Sequence, residues 1–311
     1  MPVADPFKNF YTSDFYVNNY QHDVPEFPKL LEIEPSSKCN MNCLFCGRQV
    51  MNRPEVLMDY NLYKKIIDEC SNYDVVGISG FSGWGEPLLN PRLLDMIEYA
   101  HKHNILSHLC TNGLLLNKVV SNKLLDAGLD KIKISLQGAT AENYSVMRAN
   151  PHYQRIVDNI KKLVELRDKR GDDLFIQVST SVTDETDEQV QEFTDFWKST
   201  VDNFYCDITT FRRLRGIERV EEFIENKNLQ TERPIRKSRC VDVRTRLVVH
   251  ADGFVPICCS DCKREVLLGD INKQTLKEVW DSPKLNNIRK ILANDDGNDK
   301  IPFCKPCINL R

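Results

Sequence analysis

No uninterrupted apolar run approaches the roughly 18 residues that a membrane-spanning helix needs, so a membrane span is excluded as an expectation. The opening residues, MPVADPFKNFYTSDFY, lack a basic stretch followed by an apolar one. They do not read as a signal peptide, and a cytoplasmic location is the expectation. Charge of one sign is also not in excess. A formal net charge of -3 gives no reason to expect nucleic acid or an anionic membrane as the main partner. There is no internal repeat and no low-complexity tract, and the six histidines are scattered without forming a metal-binding pair. His101 and His103 fall near a helix end, where a cation is favoured. With 41% hydrophobic and 28% charged residues, the 311-residue chain reads as a globular domain plus a smaller appendage.

Cysteine is what the chain has in quantity. Twelve are present, and in a reducing compartment they are not expected to pair as disulfides. Three crowd residues 39–46, six lie between 240 and 307, and only Cys70, Cys110 and Cys206 stand alone. Thiols clustered in this way point to metal.

Between these groups the pattern alternates. Residues 30–35 read as a strand stopped by a proline. Helical pattern over 60–70 precedes a strand at 75–79, and helix 93–102 precedes strand 105–110. Helix 117–127 leads to strand 131–136, helix 153–169 to strand 174–182, and helix 187–198 to strand 204–210. About six strand–helix units predict an α/β fold with a parallel sheet whose ligands gather at the C-terminal strand ends. The expected organisation is an N-terminal extension (1–28), a catalytic domain (29–211), a charged connection (212–239) and a cysteine-rich domain (240–311). Arg212, Arg213 and Arg215 follow the last strand and read as solvated.

Cys39, Cys43 and Cys46 follow the first strand directly. Three thiolates on one short loop can wrap a corner of a [4Fe–4S] cubane, which needs four ligands. Zinc prefers four protein ligands, and a nearby fourth is missing. One iron is therefore left open, able to chelate the amino and carboxylate groups of S-adenosylmethionine. The spacing CxxxCxxC, with Phe45 beside the last cysteine, resembles the signature of the radical S-adenosylmethionine superfamily. Gly83-Trp84-Gly85-Glu86-Pro87 after the second strand resembles that family's glycine–glycine–glutamate motif, with Trp84 in place of the first paired glycine. Thr111-Asn112-Gly113, Ser135 at the end of the fourth strand and Arg148 in ENYSVMR also match. The resemblance covers about residues 28–211. It implies a partial (β/α)6 barrel, with Phe45, Gly85, Glu86, Asn112, Ser135 and Arg148 as cofactor contacts. Taken alone, Glu86 reads equally well as a helix cap and Arg148 as a surface ion pair.

Cys240, Cys258, Cys304 and Cys307 form a second set. Asp252-Gly253 between two β-rich stretches reads as a hairpin turn, with thiols on its flanks and a terminal CxxC. Four thiolates close a cluster, or suit a zinc ribbon. The pattern C…DGxVxxC…LGDI…LKEVW…CxxC resembles the superfamily's SPASM/twitch extension, which implies a second [4Fe–4S] cluster. The longer CxxCxxxxxCxxxC run of the full SPASM form is absent, and the single-cluster twitch form fits. Residues 275–280 read as an amphipathic helix packing Leu276, Val279 and Trp280. Cys259 and Cys262 are left over, either packed thiols or, for Cys259, a hydrogen-atom donor to a substrate radical.

The resemblance implies an enzyme that generates a 5′-deoxyadenosyl radical. It would abstract hydrogen from a C–H bond of a polar small molecule, such as a sugar, aminoglycoside or cyclitol, as a dehydrogenase or epimerase. An external one-electron reductant of flavodoxin or ferredoxin type would feed it. Modification of a ribosomally made peptide is the alternative activity; the short stretch before the first strand leaves little room for a leader-binding domain. A non-catalytic iron–sulfur or zinc scaffold is the alternative outside enzymes.

Overall fold

The computed structural model describes residues 3–10, 24–209, 211, 214, 217–227, 240–305 and 307. Arg212, Arg213 and Arg215 lie outside the described residues.

Six strands run parallel in chain order: β1 (Leu30–Ile33), β2 (Gly77–Phe81), β3 (Leu106–Thr111), β4 (Lys131–Ser135), β5 (Phe175–Val182) and β6 (Asn203–Ile208). This is the expected α/β partial barrel. The helices between them are α1 (Tyr60–Cys70), α2 (Leu93–Lys102), α3 (Lys118–Asp126), α4 (Ala141–Arg148), α5 (Tyr153–Arg170) and α6 (Asp187–Lys198). Local chemistry sets their ends. Asp59 caps α1 by accepting from the Asn61 and Leu62 N–H groups, and Asn117 caps α3 in the same way. Thr186 and Gln189 form a capping box at the start of α6, and α5 ends on left-handed Gly171.

Alternation along the strands sorts the side chains. Ile33, Leu109, Ile132, Ile134, Ile176 and Val178 join the apolar core. The intervening residues, Cys110, Lys133, Ser135, Gln177 and Ser179 among them, give the inner face a polar lining. At the N-terminal strand ends, residues 3–10 plug the barrel. Phe7 is fully buried beside His108, Asp5 pairs with Lys131 at 2.7 Å, and the Val3 N–H donates to Asp202.

Three sequence expectations need correction. The second strand begins at Gly77, not Val75, because its register with β1 starts at Leu30↔Gly77. The connection expected at 212–239 contains a helix, α7 (Glu218–Asn226), whose Val220 and Ile224 pack with Met147, Phe211 and Leu214. The Asp252-Gly253 turn exists, with Gly253 at φ +89, but its two sides belong to different sheets. On one side β7 (Arg246–Val249) pairs in parallel with β1 as the seventh strand of the large sheet. On the other, β8 (Phe254–Pro256) pairs antiparallel with β9 (Leu267–Asp270). Parallel pairing to β1 fills the edge that a six-stranded sheet leaves unpaired, which local turn chemistry does not reveal.

Beyond α8 (Asp242–Thr245) and these strands lie α9 (Leu276–Trp280) and α10 (Pro283–Leu292). Leu276, Val279 and Trp280 are fully buried. Glu69 of α1 accepts from the N–H groups of Leu276 and Lys277, both at 2.8 Å, which docks α9 onto the barrel.

Candidate cofactor and cluster sites

The loop after β1 carries Cys39, Cys43 and Cys46, and its backbone is pinned from several directions. The Leu44 N–H donates to the Met147 carbonyl at 2.8 Å. Gln49 Nε2 donates to the carbonyls of Cys43 and Leu44, and Arg48 Nη2 to that of Met41. These bonds hold the three thiols on the C-terminal rim of the sheet, where parallel folds place their ligands.

Arg148, at the end of α4, reaches back to the same loop. Its Nη1 donates to Cys43 Sγ at 3.4 Å, and its Nη2 to the carbonyls of Ser135 and Leu136. Its guanidinium lies 5.1 Å from the Phe45 ring centroid. The residue is 7% exposed, and among the described residues its Nε has no partner. A buried guanidinium N–H left in this state calls for an acceptor.

The loop after β2 closes another wall. Gly83 takes φ +114, and the Trp84 N–H donates to Glu34 Oε1. The Glu86 N–H donates to the Lys38 carbonyl at 2.7 Å. A Cβ on Gly85 would come within 2.1 Å of the Ser36 carbonyl oxygen. Only glycine allows that approach. Gly85→Ala must push the two loops apart, and an ångström of misplacement lowers the rate of S-adenosylmethionine cleavage by about 10²-fold. Measurement of 5′-deoxyadenosine formation checks this, with the first cluster's spectrum retained.

Glu86 is 2% exposed. Its carboxylate accepts from Thr111 Oγ1, the Asn112 N–H and the Leu88 N–H at 2.8, 2.8 and 3.1 Å. Burial pushes its pKa up; those three bonds and the Arg148 charge pull it down. It therefore caps the short 3₁₀ turn Pro87–Leu89 and also clamps the turn after β3. Asn112 in turn donates from Nδ2 to Asn40 Oδ1 at 2.8 Å, tying that turn to the thiol loop.

All three thiols line one open cleft, together with Phe45, Gly85, Glu86, Asn112, Ser135 and Arg148. Burial pushes the thiols of Cys39 and Cys46 up, the latter to about 11, so ionisation there needs a metal to offset it. Among the described residues no group of three or more His, Cys, Asp or Glu converges on a single ion. A cubane asks for something different, since each thiolate binds its own iron. The all-thiol donor set and the orphaned Arg148 Nε fit an open-cornered cluster carrying a ligand with a carboxylate.

The second set of thiols also assembles. Cys240 precedes α8, and Cys258 follows β8. A tight turn, with the Cys307 N–H donating to the Cys304 carbonyl, carries the other two. Burial pushes Cys240 up, and Asp242, Cys304 and Cys307 are close enough to add to it. Cys258 is pushed up by burial, Cys259, Asp242 and Cys240. None of the twelve cysteines, all among the described residues, forms a disulfide. Asp261, fully buried, accepts from the N–H groups of Glu265 and Val266 and shapes the 258–262 loop.

Cys259 sits beside Cys258 and does not line the first cleft. Besides Cys39, Cys43 and Cys46, the thiol that does is Cys110, which sequence reasoning left as a solitary residue. Its place on β3, directly before Thr111-Asn112-Gly113, was the available signal. Sequence reasoning also missed Glu34 and Arg53. They form a bidentate pair at 2.7 and 2.8 Å, with side chains 1% and 3% exposed. Glu34 Oε2 accepts from the Ala251 N–H, and Arg53 Nε donates to the Cys262 carbonyl. The pair joins the cofactor loop to both arms of the cysteine-rich domain.

Comparison with known proteins agrees with this geometry. Residues 240–308 match the SPASM iron–sulfur cluster-binding domain. The chain is 31% identical over 165 residues (53% of its length) to the tungsten-containing aldehyde ferredoxin oxidoreductase cofactor-modifying protein of Pyrococcus furiosus, covering 46% of that protein. It thus spans about half the length of that relative, and likewise of the AdoMet-dependent heme synthase of Methanosarcina barkeri, at 29% identity and 45% coverage. A probable GTP 3′,8-cyclase of Methanococcus maripaludis aligns more fully, at 25% identity over 89% of this chain and 84% of the relative. Among solved structures, BtrN in complex with AdoMet and 2-DOIA superposes with a TM-score of 0.61 at 20% identity, covering 91% of this chain and 94% of that one. Streptococcus suis SuiB bound to precursor peptide SuiA gives 0.66 at 17%, covering 89% and 72%. These two show the fold. The Radical SAM superfamily model matches residues 33–197, more than half of the chain, and the chain belongs to that superfamily.

Proposed function

We propose that this protein abstracts a hydrogen atom from a C–H bond of a polar small molecule, of the size of a sugar or cyclitol, and releases it dehydrogenated or epimerised. When bound, the open-cornered [4Fe–4S] cluster and S-adenosylmethionine supply a 5′-deoxyadenosyl radical at the cleft. Cys39, Cys43 and Cys46 hold that cluster. Arg148 Nε offers a donor to the cofactor carboxylate, and Glu86 and Asn112 keep the cleft walls in register. Cys240, Cys258, Cys304 and Cys307 hold a second cluster, which accepts the electron that a substrate radical loses on dehydrogenation. A flavodoxin- or ferredoxin-type donor supplies the first.

The observation that carries the reading is the polar inner face directly beneath the cleft, closed at its far end by Phe7. Cys110, Lys133, Gln177 and Ser179 lie on it. A polar face of this kind suits a compact polar molecule. BtrN, whose complex holds 2-DOIA, shares the fold over nearly its whole length.

Anaerobic turnover with candidate sugars and cyclitols in deuterated water tests it. Net loss of two hydrogens with no solvent deuterium at carbon identifies dehydrogenation. Deuterium at carbon identifies epimerisation through an exchangeable donor. In that case Cys259→Ser or Cys110→Ser abolishes epimerisation while 5′-deoxyadenosine still forms. Failure of every polar small molecule, together with crosslinking of a short peptide, would overturn the reading.

A further inference from the structure

A cation that the cofactor does not need lies next to a residue of the cofactor cleft. Cys110 lines the cleft, and its register partner across the β3–β4 ladder is Lys133. Burial pushes the Cys110 thiol up and the nearby Lys133 charge pulls it down, while its Sγ lies 3.6 Å from His108 Nε2. Lys133 is half-buried and lies two residues before Ser135 on the same face of β4. At the strand rise it stands roughly 6.6 Å deeper than the cleft-lining Ser135.

A lysine enclosed in a fold is normally paired, because an ammonium group taken from water without a counter-charge is costly. Lys131, one step further down the same face, follows this rule through Asp5 at 2.7 Å. Lys133 does not. Among the described residues no carboxylate forms an ion pair with it. Its register partners are neutral Gln177 on β5 and the thiol Cys110 on β3. Glu32, which is close enough to influence Cys110, accepts from Ser82 Oγ at 2.8 Å and lies 3.9 Å from Arg246. On the N-terminal side of Lys133, Phe7 and His108 are buried against each other, and on the cleft side stand its β3 register partner Cys110 and, two residues on, Ser135, both of which line the cleft.

We propose that Lys133 anchors an anionic group of the substrate, a carboxylate or a phosphate, at the barrel floor. The anion completes the ion pair that the fold leaves open, and Cys110 and Gln177 border it with neutral polar atoms. The rest of the substrate then extends upward to the radical source. This deepens the small-molecule reading above and rests on the barrel interior being the substrate pocket.

The test uses the cluster-loaded protein without S-adenosylmethionine and follows alkylation of Cys110 by iodoacetamide, read by peptide mass spectrometry. Inorganic phosphate, glucuronate and neutral glucose are the probes. An anionic probe at ten times its dissociation constant slows alkylation by about tenfold, and glucose does not. Lys133→Gln removes the protection and Lys133→Arg keeps it. Protection by phosphate alone identifies a phosphorylated substrate, and protection by glucuronate alone a carboxylate. Equal protection in Lys133→Gln, or protection by glucose but by neither anion, overturns the proposal, as does no protection by any probe. Formation of 5′-deoxyadenosine by dithionite-reduced protein is measured separately. Its absence would sink the radical-enzyme reading, whatever the alkylation shows.

Discussion

Cys43→Ala is expected to eliminate 5′-deoxyadenosine formation and to halve the iron content of anaerobically reconstituted protein. Cys43 is buried at the centre of the triad and receives the Arg148 Nη1–H. Without it only two thiolates face the cluster, and a cubane needs three protein ligands to leave one corner for the cofactor. Cys258→Ala is the informative contrast. It removes a ligand from the second set, which lies on other elements, and so should also lose iron while still cleaving S-adenosylmethionine. Iron analysis and chromatography of the nucleoside product distinguish the two. Equal loss of cleavage in both variants would show that the two sets are not separate cluster sites.

Arg53→Met is expected to destabilise the folded protein by about 3–5 kcal/mol, because it leaves Glu34 charged, buried and unpaired. At roughly 2 °C per kcal/mol, the melting temperature falls by roughly 6–10 °C. Glu34 still has the Trp84 and Ala251 N–H groups, which lessen the penalty without replacing the charge. The double variant Glu34→Gln with Arg53→Met removes the stranded charge and should recover part of the loss. A surface ion pair such as Lys102–Glu98 serves as the control, since exposed pairs contribute about 0–1 kcal/mol. If Arg53→Met melts with wild type, the pair carries no such burden. Loss of second-cluster iron in the same variant is also expected, because Arg53 holds the Cys262 carbonyl four residues from Cys258.

The legible parts of the molecule were those written in short stretches of chain. The first thiol loop and the strand–helix rhythm each depend on neighbours within a few positions, so spacing alone exposed them. Glu86, Asn112, Ser135 and Arg148, singled out by the family resemblance at strand ends, line one cleft. The roles were less legible than the places. Glu86 spends its lone pairs on Leu88, Thr111 and Asn112, a set that becomes visible only when β2 and β3 lie side by side. Helix α7 went unread because its three apolar positions, Val220, Phe223 and Ile224, are outnumbered by charges, and the surface that covers them comes from Met147, Phe211 and Leu214.

By itself the sequence determined the chemistry available to this protein: two sets of thiolates, the first short of a ligand, carried by a parallel α/β scaffold. Tertiary structure alone decided that β7 would close onto β1, and that Glu34 and Arg53 would bind the cofactor loop to the cysteine-rich domain. It also decided that Cys110, on the cleft wall, would have Lys133 as its register partner. The physical reason is common to all three. Pairings between distant segments are settled by burial and by the need to satisfy backbone groups and charges once the chain is compact, and neither leaves a periodic trace in the order of residues.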